Sequence, residues 1–193
     1  MKKDSTIKNA LILFSITLIA GILLAVTYGA TANARAEQEL LKTNNGLQAV
    51  LPNSSFNEVD VLGENDYILS VFEGNSKEDG SGDLTGYAFL LETTEGYGDA
   101  IRIMAAVNAE GLLNGIDIIK HTETPGLGAK ADEDGFKVQF VGKATELLEV
   151  VKGSSDGQNI DAIGGATITS KAVTKAVNEA IEYYQNNLKE GNE

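Results

Sequence analysis

Between Asn9 and Ala34 the chain carries no charged residue, and within that window Ala10–Tyr28 (ALILFSITLIAGILLAVTY) forms a 19-residue apolar run. A helix rises about 1.5 Å per residue, so the run reaches roughly 28 Å, close to the ~30 Å hydrocarbon layer of a bilayer. This predicts a membrane-spanning helix over residues 9–29. Lys2, Lys3 and Lys8 precede it, and an excess of cations beside a span marks the cytoplasmic side. Residues 1–8 are therefore expected in the cytoplasm and everything beyond the span outside it. Ala32-Asn33-Ala34 and Ala34-Arg35-Ala36 also fit a small-residue cleavage site, which makes a cleaved signal peptide the competing reading. The apolar core exceeds the ~7–15 residues usual for a signal peptide, so a retained single-pass anchor is expected. Either reading places the remainder of the chain outside.

The residue types available then limit the chemistry. The 193 residues include no cysteine and a single histidine, His121. Thiolate-held iron–sulfur clusters, catalytic thiols, disulfides, lipoprotein acylation and multi-histidine metal or haem sites are excluded. A chain that handles electrons under these limits must use an organic cofactor. Charge is unevenly spread: residues 1–8 set three lysines against Asp4, leaving 12 basic and 27 acidic residues in the rest. So acidic a surface repels nucleic acid and anionic headgroups, and nucleic acid is not an expected partner.

Beyond Tyr28 the pattern stays helical to Val50, with Asn44-Asn45-Gly46 weakening the helix and Pro52 stopping it, which predicts a stalk over residues 30–50. Residues 51–193 are expected to form the extracytoplasmic domain. Tyr67–Phe72, Gly86–Thr93, Ala100–Val107 and Leu112–Lys120 are apolar runs of strand length separated by turn-rich segments. The four-residue link Asn108–Gly111 suits a hairpin, so an antiparallel meander is predicted. Ala131–Gly135 reads as a polar break. From Ser170 onward Val173, Val177, Ile181, Tyr184 and Leu188 step at helical spacing, with Thr169 or Ser170 as the expected cap. The fold class is α+β, an antiparallel β-rich domain with a C-terminal helix, preceded by one N-terminal transmembrane helix.

Just before that helix lies Asp161-Ala162-Ile163-Gly164-Gly165-Ala166-Thr167-Ile168-Thr169-Ser170. Small residues let another surface approach the backbone, and a helix N-terminus stabilises a phosphate through its free N–H groups and dipole. Thr167 and Thr169 add hydroxyls at that point. Ordinary capping explains the same residue types, and local physics alone leaves both readings open. Upstream, Glu123-Thr124-Pro125-Gly126-Leu127-Gly128 places Pro at the second and Gly at the third position of a type II turn. Thr124 and Leu127 would then stand at the ends of a rigid loop, which is either a plain turn or a ligand cradle. Gly96-Tyr97-Gly98 supplies a third loop, whose Tyr97 either flanks a ligand or covers the core. His121, beside the cradle, is a candidate proton partner or a surface histidine.

Residues 161–167 resemble the flavinylation signature Asp-x-x-(Ser/Thr)-Gly-Ala-Thr of the covalent FMN-binding domain family. Residues 123–128 resemble the Glu-Thr-Pro-Gly-Leu-Gly segment of the extracytoplasmic FMN subunits of Rnf-type and sodium-pumping quinone reductase complexes, and residues 96–98 the Gly-Tyr-Gly loop of the same family. Overall the chain looks most like the G subunit of Rnf-type complexes and is similar to the usually longer C subunit of the sodium pump. The resemblance implies FMN joined by a flavin transferase through its phosphate to the hydroxyl of Thr167, with Thr169 a lesser alternative acceptor. It further implies that Asp161, Gly165, Ala166, Glu123, Thr124, Leu127, Gly128 and Tyr97 contribute to cofactor binding, with Leu127 against the isoalloxazine. Gly164 departs from the signature's Ser or Thr and removes one hydroxyl. The implied role is electron relay within an ion-translocating ferredoxin/NAD oxidoreductase, beside iron–sulfur and flavin-bearing membrane subunits. A free-standing flavinylated redox domain and a non-redox anchored ectodomain are the alternatives.

Overall fold

The computed structural model describes residues 2–63, 65–77, 82–153 and 157–189, with the side chains of residues 2–5 left aside. Contacts divide the chain into two units, residues 1–41 and 42–193. The first is helix throughout its described part, belonging to α1 (Lys2–Val50). It is long and apolar enough to cross a membrane, and none of its most apolar stretch is buried within the protein. Its outward side chains include Leu11, Leu13, Phe14, Ile19 and Leu24, an all-round apolar surface such as only lipid or protein would cover. Ser15, Thr17, Thr27 and Thr31 turn their hydroxyls back onto carbonyls of the preceding turn, so these hydroxyls are satisfied without water. At the far end of the apolar run, Arg35 donates to the Tyr28 carbonyl at 2.7 Å and lies 4.0 Å over the Tyr28 ring.

The second unit is built on a five-stranded antiparallel meander: β1 (Ser55–Val59), β2 (Ile68–Asn75), β3 (Leu84–Thr93), β4 (Ile101–Asn108) and β5 (Leu113–Lys120), paired in chain order. The four predicted strands are present, and β1 is a fifth that the apolar pattern does not announce. Alternation sends Phe89, Leu91, Ile101, Ile103, Ala105 and Val107 to one face and Ala88, Met104 and Ala106 to the other, as the two-residue period of a strand requires. Both faces are covered. The inner face carries α3 (Thr167–Tyr183), which buries Val173, Ala176, Val177, Ala180 and Ile181. Tyr183 meets Phe89 edge-on at 6.1 Å. On the outer face lie Leu47, Val50 and Leu51 from the end of α1 and the turn after it. Hence β4 reads as an almost continuous apolar run: both of its faces are buried. The last residues expected as stalk are therefore part of the domain's core, and small Gly46, Ala88 and Ala106 leave room for the helix.

The hairpin between β4 and β5 is as predicted, closed by Gly111 N–H donating to Asn108 O at 2.9 Å. Two local readings are corrected. Residues 131–135 are not a plain polar break, because a 3₁₀ turn (Gly128–Asp132) and a short helix α2 (Asp134–Lys137) occupy them. Phe136 is buried there and meets Phe140 at 5.5 Å, an anchor too isolated to give a periodic signal. The C-terminal helix begins at Thr167 rather than Ser170, and neither Thr169 nor Ser170 caps it. Both are buried inside its first turn. Ser170 Oγ instead accepts the Ile163 N–H at 3.0 Å and donates to Ala166 O at 3.1 Å, which folds residues 163–166 back onto the helix start.

Two short parallel strands, β6 (Val150–Val151) and β7 (Ile160–Asp161), lead into that turn. Buried Lys143 donates to the carbonyls of Gly157 and Asn159, and Gln139 exchanges hydrogen bonds with the Asp161 backbone. These contacts fix the approach to α3 from outside it.

Candidate functional site

At the N-terminal end of α3 a cavity of about 920 Å³ is lined by Tyr97, by Glu123, Thr124, Leu127 and Gly128, by Lys152 and Gly153, and by the loop from Ala162 to Thr169. Its size lies within the range of small-molecule sites, roughly 300–1,000 Å³. The three loops singled out in the sequence therefore border one space, although about seventy residues separate the first from the last.

Glu123 ties them together. It is 5 % exposed. Its Oε1 accepts the N–H groups of Tyr97 (2.9 Å) and Gly98 (3.0 Å), and its Oε2 accepts the Thr169 hydroxyl (2.7 Å). A buried carboxylate is tolerated only when its lone pairs are satisfied in this way. Gly96 and Gly128 make room for it: a Cβ on Gly96 would lie 2.5 Å from Oε1, and one on Gly128 would overlap Oε2. Glu123 thus shapes the cavity by holding the Tyr97 loop and the first turn of α3.

The turn beside it is as read from the sequence. Leu127 N–H donates to Thr124 O at 3.1 Å, and Gly126 has φ +77°, the conformation a type II turn demands after Pro125. The turn projects Leu127 half-exposed toward the loop of residues 162–166. Gly165 there has φ +78°, and a Cβ on it would stand 3.0 Å from Leu127 Cδ2. Both features call for glycine, the first through backbone strain and the second through close approach.

Thr167 is the first residue of α3 and lines the cavity half-exposed, preceded by Ala166, whose side chain offers no cap. The opening N–H groups of a helix have no intrahelical acceptor, so the cavity receives the positive end of α3. Thr169 is 1 % exposed and its hydroxyl is already engaged by Glu123. Tyr97 projects outward at the rim, 74 % exposed. Asp161 lies on β7 short of the cavity, with Oδ1 buried and without a hydrogen-bond partner among the described residues. His121 does not line the cavity. It faces a separate hollow with Lys42, Asn45 and Asp132, and its Nδ1 accepts the Glu123 N–H.

The loop bearing Tyr97 is clasped from its other end. Glu95 accepts from Tyr67 Oη at 2.6 Å and pairs with Lys175 of α3. The Lys175 hydrogen bond, and secondarily that of Tyr67, pulls the Glu95 carboxyl below its ordinary range; the same Glu95 contact pushes the Lys175 ammonium up. Lys152, Gly153, Ile163 and Ile168 also line the cavity, although no sequence feature assigns them to a site. Ile163 and Ile168 lie inside the recognised segment. Lys152 carries no local motif and reaches the cavity through the parallel pairing of β6 with β7.

A small-molecule cofactor with an anionic arm and a flat apolar body fits this lining: helix N-terminus and hydroxyls at one part, Leu127 and the small residues at another. Comparison with known proteins agrees with that fit. Residues 96–182 match the FMN-binding domain family, and residues 1–50 match the RnfG N-terminal region. The chain is 40 % identical over 194 residues to the G subunit of the Na(+)-translocating ferredoxin:NAD(+) oxidoreductase complex of Acetobacterium woodii, an alignment covering 93 % of this chain and 91 % of that one. It is 38 % identical to the G subunit of the proton-translocating ferredoxin:NAD(+) oxidoreductase complex of Clostridium ljungdahlii, over 85 % of this chain and 83 % of that one. Among solved structures it is similar to Shewanella oneidensis NqrC, with a TM-score of 0.51 and 26 % identity, over 69 % of this chain and 66 % of that one.

Proposed function

The chain belongs to the family of G subunits of ion-translocating oxidoreductase complexes, and on that premise we propose that it relays electrons in a membrane-bound ferredoxin/NAD oxidoreductase on FMN joined by a phosphoester to Thr167. The observation that carries the reading is the position of Thr167: it is a half-exposed hydroxyl on the first residue of α3, in the wall of the cavity, beside helix N–H groups that no side chain caps. Thr169, the alternative acceptor, is buried and engaged.

FMN supplies reversible uptake and release of electrons. The chain's own residues anchor and orient it. The N-terminus of α3 offsets the negative charge of a phosphodiester. Leu127, set by the Pro125-Gly126 turn, offers an apolar face to the ring. Glu123 holds the surrounding loops in register, and the backbone of Gly165 and Ala166 leaves the anchor site open. Attachment is the work of a flavin transferase, which moves the FMN part of FAD to the Thr167 hydroxyl as AMP leaves and the hydroxyl proton is lost. We assign residues 1–8 to the cytoplasm, 9–29 to the membrane and 30–193 to the outside, the stalk ending where Leu47 and Val50 join the domain's core, next to iron–sulfur and flavin-bearing membrane subunits. The uncharged run and the N-terminal lysines support that topology.

Thr167→Ala tests the assignment directly. The full chain, co-expressed with a flavin transferase and purified in detergent, is expected to lose its covalent FMN by intact mass while keeping its thermal unfolding transition. An undiminished adduct overturns the assignment of Thr167.

A further inference from the structure

We propose that Lys152 is the countercharge of the cofactor: its ammonium offsets the negative charge that FMN carries and gains on reduction, and so raises the potential at which this subunit accepts electrons. The inference rests on the reading that FMN occupies the cavity at the start of α3.

Three observations carry it. First, Lys152 is the only cationic side chain among the described residues that line the cavity. Outside its first eight residues this chain has 27 acidic and 12 basic residues, so a lysine at that place is conspicuous against its surroundings. Second, the one acidic lining residue, Glu123, forms no ion pair with it among the described residues. Both oxygens of Glu123 are committed to Tyr97, Gly98 and Thr169. Three other lysines of this domain are tied: Lys137 to Asp117 and Asp132, Lys143 to backbone carbonyls, Lys175 to Glu95. No such tie holds Lys152 among the described residues. Third, its backbone is fixed relative to the anchor loop. Val151 pairs with Asp161, and Ala162 N–H donates to Val151 O at 2.8 Å. Lys152 therefore follows directly on a strand held to the chain that leads to Thr167, one residue past the pairing at which the cavity wall begins.

The electrostatic consequence follows from charge balance. Each electron added to the flavin adds a unit of negative charge, except where a proton is taken up with it. No bond to Lys152 forms or breaks, and its proton stays on the ammonium. A fixed positive charge in a partly desolvated cavity favours the reduced, more negative form. The size of the effect depends on charge and not on the shape of the side chain, which separates this role from a packing role.

The test is a potentiometric titration, with dithionite as reductant, of the full chain loaded with FMN and held in detergent. The parent is compared with Lys152→Arg, Lys152→Met and Lys152→Glu. Loading is measured first by intact mass. Loss of the adduct in the parent itself fails the FMN reading, whereas a loaded parent leaves the Lys152 inference to be decided by potential. The expected result is a graded series. Arg stays near the parent. Met disfavours electron uptake about tenfold, which is about 59 mV for a one-electron couple or about 30 mV for a two-electron couple. Glu lowers the potential further. The differences should shrink as salt is raised, because exposed charge is screened. Equal potentials across loaded Met, Glu and parent proteins overturn the proposal. So does a fall that appears equally in Arg, which would make the lysine a structural residue.

Discussion

At Gly165 the backbone turns with φ +78°, and a Cβ placed there would stand 3.0 Å from Leu127 Cδ2. Its neighbour Gly164 has a negative φ and no heavy atom within 4 Å of a Cβ position. Two adjacent glycines therefore have opposite tolerances. Gly165→Ala is expected to cost about 1–2 kcal/mol from the left-handed conformation alone, to push Leu127 aside and to lower flavin loading. Gly164→Ser restores a hydroxyl where the flavinylation signature has one and meets no obstacle, so stability should stay within about 0.5 kcal/mol and loading should not fall. Thermal unfolding and flavin-to-protein stoichiometry at short induction, measured on both variants in parallel, check the contrast. A Gly164→Ser protein that loads poorly would mean that the open space beside Gly164 is needed by the transferase.

The first turns of α3 and the loop after β3 are joined twice, once by Glu123 and once by the Glu95–Lys175–Tyr67 clasp. The clasp has a defined pH window. Glu95 has a folded pKa below its reference of 4.5, so its contribution is present above that value and is lost as pH falls through the lower folded value. Lys175 has a folded pKa above its reference of 10.5, so its contribution is present below that value and is lost as pH rises through the higher one. The stability difference between the parent and Glu95→Gln should be flat between pH 4.5 and 10.0, the upper limit set by Tyr67, whose hydroxyl the Glu95 hydrogen bond pushes up from 10.0, and should shrink on the acid side below that window. The groups are exposed, so the plateau itself is expected to be small. A difference that grows as pH falls would contradict the clasp.

Across the molecule, α1 serves two environments along one helix. Leu47 is 3 % exposed against the outer face of the sheet, whereas Leu40, two turns earlier, is 67 % exposed. Leu47→Ala is expected to cost about 2–5 kcal/mol, as for other buried leucines truncated in a core. Leu40→Ala should change domain stability by no more than about 0.5 kcal/mol. Thermal unfolding of the two full-length variants in detergent separates them. Equal losses would mean that the domain's core does not include the end of α1.

Features that arise from nearby residues were legible in the amino-acid order. The apolar run of residues 10–28, strands β2–β5, the Asn108–Gly111 hairpin, the Pro125-Gly126 turn and the body of α3 each leave a period or a turn signal within a short stretch of chain. Motif likeness added the flavin-binding class of the Asp161–Thr167 segment. What depends on partners distant along the chain emerged only in the folded domain. Glu123 reads locally as the start of a turn, yet its carboxylate is bound by groups 25, 26 and 46 residues away. Ser170 reads as a cap, but once residues 163–166 fold back its hydroxyl serves the Ile163 N–H, and the helix starts three residues earlier. Lys152 has no signal of its own because a two-residue parallel pairing, stabilised by neighbours outside it, brings it to the cavity. Local propensity fixes elements that satisfy their own hydrogen bonds. Buried polar groups that must be satisfied from elsewhere become legible only when the elements meet.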